Sequence, residues 1–67
     1  MAKIQLNGGE YTIKSEKNLE DFLKELEITP NKVAIELNGE IAQRKMFKNI
    51  KIKEGDRIEL VQFIGGG

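Results

Sequence analysis

An α+β fold, with one main helix laid across one face of a mixed β-sheet, is what this 67-residue chain predicts. Three observations carry that reading. Apolar and polar residues alternate with the period of a strand near the start, in the middle and near the end of the chain. Two Asn-Gly steps, Asn7-Gly8 and Asn38-Gly39, fall between alternating runs, where a two-residue hairpin turn requires positive φ at both positions. Between them, the apolar residues Leu19, Phe22, Leu23 and Leu26 recur at helical spacing.

Taken in order, Lys3, Ile4, Gln5 and Leu6 alternate, as do the residues from Glu10 to Lys14. With the Asn-Gly turn between them they predict an antiparallel hairpin that aims Ile4, Leu6, Tyr11 and Ile13 at one core. Asn18 is placed to cap the helix, and Asp21 follows at its third position, where a carboxylate favours the positive helix end. Glu20, Lys24, Glu25 and Glu27 make the solvated face. Pro30 biases Thr29 away from helical geometry, so the helix is expected to break at Thr29-Pro30-Asn31.

Val33, Ile35 and Leu37 predict the next strand, Asn38-Gly39 its turn, and Ile41 a short return. Residues 44–48 read as one helical turn that sets Met46 or Phe47 over an open end of the core. Ile50 and Ile52 bracket a short strand, and the last strand covers residues 57–63. A helix between a hairpin and later strands must lie across one sheet face to bury both apolar surfaces. The crossover through it sets the last strand parallel to the first. That arrangement is a β-grasp, the ubiquitin-like fold.

Composition excludes several functions. The chain has no cysteine and no histidine, hence no thiolate nucleophile, no cysteine-ligated metal site and no side chain whose ordinary pKa lies near neutrality. Eleven acidic and eleven basic residues cancel, which gives no reason to expect nucleic acid or an anionic membrane as a partner. No apolar stretch nears the roughly 20 residues of a membrane span, and a cytoplasmic domain is expected. Arg44, Lys45, Lys48, Lys51 and Lys53 form a basic segment, read as a solvated edge that discourages strand aggregation. Asp56 and Glu59 have no pocket that would suit paired carboxylates to acid–base work.

The most informative segment is the last. An apolar run, residues 58–64, leads directly into Gly65-Gly66-Gly67. A tail without side chains enters slots that exclude every other residue, in any backbone conformation. It also leaves a terminal carboxyl carbon open to attack. Residues 1–63 are therefore taken as the domain and 64–67 as a glycine tail. If Ile58 and Leu60 face the helix, then Val61 and Phe63 face away and form an exposed apolar patch beside that tail. Ordering the tail in a partner costs about 1–2 kcal/mol per residue. Burying Val61 and Phe63 returns about 1.5–3 kcal/mol each, so the patch offsets much of that cost.

Three stretches together resemble a known family: Val33-Ala34-Ile35-Glu36-Leu37-Asn38-Gly39-Glu40-Ile41 followed by Arg44; Gly55-Asp56-Arg57-Ile58-Glu59; and Val61-Gln62-Phe63-Ile64-Gly65-Gly66-Gly67. In that combination they are similar to the ThiS family, the sulfur carriers of thiamine biosynthesis. Gly65 stands where many members have alanine, and Gln43 where many have proline. The resemblance implies that Gly67, preceded by Gly65 and Gly66, is adenylated and then thiocarboxylated, with Val61, Phe63 and Ile64 as docking residues. It implies three partners: an adenylyltransferase of the ubiquitin-activating type that uses ATP and Mg²⁺, a cysteine desulfurase or rhodanese-like sulfur donor, and thiazole synthase. The chain itself would bind no cofactor and catalyse nothing. The small subunit of molybdopterin synthase and ubiquitin-like modifiers share the fold and the diglycine. A β-grasp interaction or RNA-binding module is the reading of another class.

Overall fold

Both Asn-Gly steps adopt the turns their sequence requires. In the computed structural model, which describes residues 1–63, Asn7 and Gly8 have φ of 50° and 83°, and Asn38 and Gly39 have 54° and 88°. Paired positive values are the signature of a type I′ turn. The first turn joins β1 (Ala2–Leu6) to β2 (Gly9–Ile13). The second joins β3 (Val33–Leu37) to β4 (Glu40–Ala42).

These hairpins do not touch as sheets. The last strand, β5 (Arg57–Gln62), enters between them and gives the order β2-β1-β5-β3-β4. It runs antiparallel to β3 and parallel to β1, as the crossover requires. With one main helix on one face, this is the β-grasp fold. The pairing with β1 is short, covering only Arg57 and Ile58 of β5.

The two turn asparagines extend the ladders on either side of β5. The backbone N–H of Asn7 donates to the Ile58 carbonyl at 2.9 Å, and its Oδ1 accepts from the N–H of Leu60 at 2.7 Å. Across the strand, Asn38 N–H donates to the Arg57 carbonyl at 2.7 Å, and Asn38 Oδ1 accepts from Arg57 N–H at 2.9 Å. Each turn asparagine thus bends its own hairpin and continues that hairpin's ladder onto the central strand.

Helix α1 (Leu19–Glu25) is capped as its sequence predicts, with Asn18 Oδ1 accepting from Asp21 N–H at 2.8 Å. It ends earlier than Pro30 would enforce. Glu27 takes φ of 61°, and its N–H and that of Ile28 return to the carbonyls of Lys24 and Leu23 at 3.0 and 2.9 Å. That is a Schellman motif with glutamate at the position usually held by glycine. Pro30 instead opens a short 3-10 turn, Pro30–Lys32. A second 3-10 segment, Arg44–Asn49, buries Phe47 and leaves Met46 outside.

Residues 50–52 do not form the expected strand. Lys51 makes an isolated bridge with Asn18, because this segment serves the helix start. The Ile50 carbonyl accepts from Leu19 N–H at 2.9 Å, and Ile52 N–H donates to the Lys17 carbonyl at 3.0 Å. A helix N-terminus has N–H groups to satisfy, and that demand takes the backbone groups a strand would have used.

Among the described residues, ten side chains make the core: Ile4, Ile13, Leu19, Phe22, Leu23, Val33, Ile35, Phe47, Ile52 and Ile58. Leu6, Tyr11 and Leu26 pack at its margin. The Tyr11 ring meets Phe22 edge to face, centroids 5.6 Å apart. Its hydroxyl donates to Glu25 Oε2 at 2.7 Å, while Lys17 pairs with the other oxygen of Glu25. Lys17 first, then Tyr11, hold the Glu25 carboxyl below its ordinary pKa of 4.5. The same hydrogen bond, aided by burial, holds the Tyr11 phenol above 10.0. Among the described residues, no helix is long and apolar enough to cross a membrane.

Two expected outcomes follow from these contacts. Asn7→Gly keeps the turn but loses the acceptor for Leu60, and should lower unfolding free energy in urea by about 0.5–1.5 kcal/mol. Asn7→Ala adds the cost of a left-handed residue, about 1–2 kcal/mol more. Equal stability of Asn7→Gly and wild type would show that the side-chain bond contributes nothing.

The pH dependence of stability should fall off on two sides. Glu25 has a depressed folded pKa, so its contribution is present above 4.5 and lost as pH falls through and below that value. Tyr11 has a raised folded pKa, so its contribution is present below 10.0 and lost as pH rises beyond it. Melting temperature against pH should show a shallower acid limb in Glu25→Gln than in wild type.

Candidate docking and modification site

Strand alternation sorts β5 into two faces. Ile58 is buried and Leu60 packs at the core margin, both toward α1. Arg57, Glu59 and Val61 point the other way, and Phe63 continues their line. Val61 is 61% exposed and Phe63 49%. The expectation that these two residues lie outside the core is met in the structure.

The sequence reading missed a third member. Ile41, on β4, stands opposite the outward-facing Glu36 and is 69% exposed. Ala34 lies between, directly opposite Val61. The register implied by the Asn38-Gly39 turn carries this information, since Leu37 must pair with Glu40 and Ile41 therefore shares a face with Glu36. Ala34, Ile41, Arg44 and Phe63 line a shallow groove together with the core residues Val33, Ile35 and Phe47. Arg44 is held at its edge by a bond from Nε to the Pro30 carbonyl, 3.0 Å.

Two carboxylates border the patch. Glu36 and Glu59 are directly opposite on this face, an arrangement that is mildly unfavourable in isolation. Neither has an ion-pair partner among the described residues. The patch is therefore apolar at its centre and acidic toward β5's beginning.

The domain's hold on the chain reaches Phe63, whose N–H donates to the Lys32 carbonyl at 2.8 Å. Ile64, Gly65, Gly66 and Gly67 lie outside the described residues. What the structure places is the point from which they depart: the end of a central strand, beside exposed aromatic and aliphatic side chains.

Other candidates are absorbed by the fold. Asp56 accepts from Lys53 N–H at 2.8 Å and from Asn38 Nδ2 at 3.1 Å, so it fixes a turn and leaves no paired carboxylate with Glu59. Within the basic segment, Lys51 pairs with Glu16 at 3.5 Å and Arg44 Nε donates to the Pro30 carbonyl.

Comparison with known proteins agrees with this geometry. The model of the ThiS family matches residues 4–67. The chain is 31% identical to the sulfur carrier protein ThiS of Bacillus subtilis, over 96% of this chain and 98% of that one. It is 37% identical to the thiazole synthase of Paramagnetospirillum magneticum over 97% of its own length, but it spans only 20% of that protein. The crystal structure of the thiamine biosynthesis protein ThiS from Geobacter metallireducens superposes with a TM-score of 0.82 at 32% identity, covering 97% of this chain and 99% of that one.

The face assignment makes a measurable contrast. Phe63→Ala should lower stability by no more than about 1 kcal/mol, whereas Phe22→Ala in the core should cost about 3–5 kcal/mol. Chemical denaturation of both variants checks it, and comparable losses would place Phe63 in the core.

Proposed function

The chain belongs to the ThiS family, the sulfur carriers of thiamine biosynthesis, and on that premise we propose that it carries sulfur as a thiocarboxylate on Gly67. The observation that supports this most is the exposure of Val61 and Phe63 on the strand that leads into the glycines. A domain stabilised by ten buried apolar side chains has no folding reason to place these two outside. A partner that threads the tail has a use for them.

In this reading, Gly67 supplies its carboxylate to an adenylyltransferase, which joins it to the α-phosphate of ATP as the α–β phosphoanhydride breaks and pyrophosphate leaves, with Mg²⁺ as the counter-charge. A carboxylate is a poor acyl donor; the mixed anhydride is a good one. A persulfide sulfur from the donor protein then attacks the acyl carbon and AMP leaves. Cleavage of the sulfur–sulfur bond by a thiol gives the thiocarboxylate. Thiazole synthase takes up that sulfur. A thiazole synthase relative contains a stretch similar to this whole chain within one polypeptide, which supports that pairing.

The chain's own part is presentation. Val61, Phe63 and Ile64 dock, while Gly65, Gly66 and Gly67 pass through a channel too narrow for side chains. Removing a central aromatic anchor typically costs about 1–3 kcal/mol of binding. Phe63→Ala should therefore weaken the adenylyltransferase complex by that amount with the fold retained.

The direct test addresses the end group. Gly67→Ala adds a methyl beside the reacting carbon and should slow single-turnover thiocarboxylation at least about tenfold, or 1.4 kcal/mol in the barrier. In-line attack on the α-phosphate tolerates little displacement of the carboxylate. The readout is exact intact mass, which separates sulfur-for-oxygen exchange from oxidation of Met1 or Met46. A wild-type chain that gains no sulfur in the presence of the activating enzyme, ATP and donor would overturn the proposal.

A further inference from the structure

The central strand is incompletely paired. Bonds from Phe63 to Lys32 and from Arg57 to Asn38 show that odd-numbered residues of β5 turn their backbone groups toward β3. Bonds from Asn7 to Ile58 and from Leu60 to Asn7 show that even-numbered residues turn theirs toward β1. But β1 ends at Leu6, opposite Ile58, and bends away through Asn7-Gly8. The Asn7 side chain satisfies Leu60 N–H, and there the ladder stops. The Leu60 carbonyl and both backbone groups of Gln62 therefore face the line that β1 has left, with no strand of the described residues beside them. Leu60 is half-buried and Gln62 exposed.

We infer that this notch, the β1-facing edge of Leu60 to Gln62, receives an extended segment of thiazole synthase as an added strand. The inference rests on the carrier reading above and adds a recognition mode to it. Such addition draws its affinity from main-chain hydrogen bonds. The chemistry on the page favours a polypeptide in β geometry: a carbonyl, an N–H and a carbonyl at strand spacing, along one line.

Among the partners that would hold the tail, thiazole synthase is favoured because a relative carries a stretch similar to this chain within one thiazole synthase polypeptide. The notch lies on the strand whose outer side chains, Val61 and Phe63, are exposed, at that strand's C-terminal end. A protein that covers that patch and holds the glycines runs past Gln62. The outer edges are poorer sites: β4 has three residues, and short edge strands discourage pairing.

The test uses two variants and one exchange measurement. Gln62→Pro removes the N–H that faces the notch while leaving every β5 bond to β3 in place, since proline is tolerated where the N–H side of a strand faces solvent. Gln62→Ala retains the N–H. Relative to Gln62→Ala, Gln62→Pro should bind thiazole synthase about threefold to tenfold more weakly, the equivalent of one hydrogen bond. Equal affinities overturn the inference.

Residue-resolved hydrogen exchange on the wild-type chain makes the result independent of how Gln62→Pro folds. Alone, the Val61 and Phe63 amides should be protected and the Gln62 amide should exchange rapidly. With thiazole synthase bound, exchange at Gln62 should slow at least about tenfold, matching its new hydrogen bond. A complex that forms, and that Phe63→Ala weakens, yet leaves Gln62 exchanging rapidly overturns the notch while sparing the carrier reading. Absence of any complex overturns both. Protection of Gln62 in the free chain that grows with protein concentration would assign the notch to a second copy of the chain and overturn it equally.

Discussion

Everything in this domain depends on the strand that comes last being held in the middle. Among the described residues the β1–β2 and β3–β4 hairpins share no ladder, and β5 joins them. Its attachment to β1 covers two residues of β5, fewer than an ordinary strand pair offers. Asn7 makes up the difference with one main-chain and one side-chain bond to β5, and Asn38 adds the same pair at the end of the longer β3 ladder. Glycine or aspartate would serve a type I′ turn at the same positions. Glycine would leave the Leu60 and Arg57 N–H groups without their acceptor. The same residue therefore sets the hairpin and closes the sheet, and the buried Ile58 sits between the two clamps.

This arrangement also separates stability from recognition. The face of the sheet under α1 holds Ile4, Ile13, Val33, Ile35 and Ile58, all nearly inaccessible. The opposite face holds Ala34, Ile41 and Val61 with Glu36 and Glu59 beside them. Because successive side chains on a strand alternate, one element carries both functions without conflict. Ile58 and Leu60 anchor the strand, while Val61 and Phe63 remain available to a partner.

Much of this was legible in the sequence. Two Asn-Gly steps, a helical run of Leu19, Phe22, Leu23 and Leu26, and the alternation in residues 57–63 define the β-grasp and assign Val61 and Phe63 to the open face. Three features were not. Glu27 adopts a left-handed conformation that its identity argues against, because the Schellman bonds and the packing of Ile28 outweigh a local preference. Residues 50–52 alternate like a strand, yet the nearest unsatisfied donors belong to the helix start, and satisfying those wins. The side chains of Asn7 and Asn38 reach across 53 and 19 residues of sequence to β5. Local pattern signals turns but carries no information about which distant backbone an amide will meet. Of the site, the patch could be read except for Ile41, whose outward position depends on register.

The placement of β5 has a consequence for when the molecule becomes recognisable. Contacts such as Leu60 to Asn7 and Lys3 to Glu54 span 53 and 51 residues, so the sheet is a high-contact-order assembly in which loop closure precedes any reward. On an emerging chain, the residues of β1, β2, α1, β3 and β4 all precede those of the strand that unites them. Until it inserts, Ile4 and Ile35 have no common core. The strand that completes folding is also the one that bears Val61 and Phe63, so the surface a partner would read does not exist on an unfinished or unfolded chain. Exposure of that patch is thereby tied to completion of the fold, through the order of the strands.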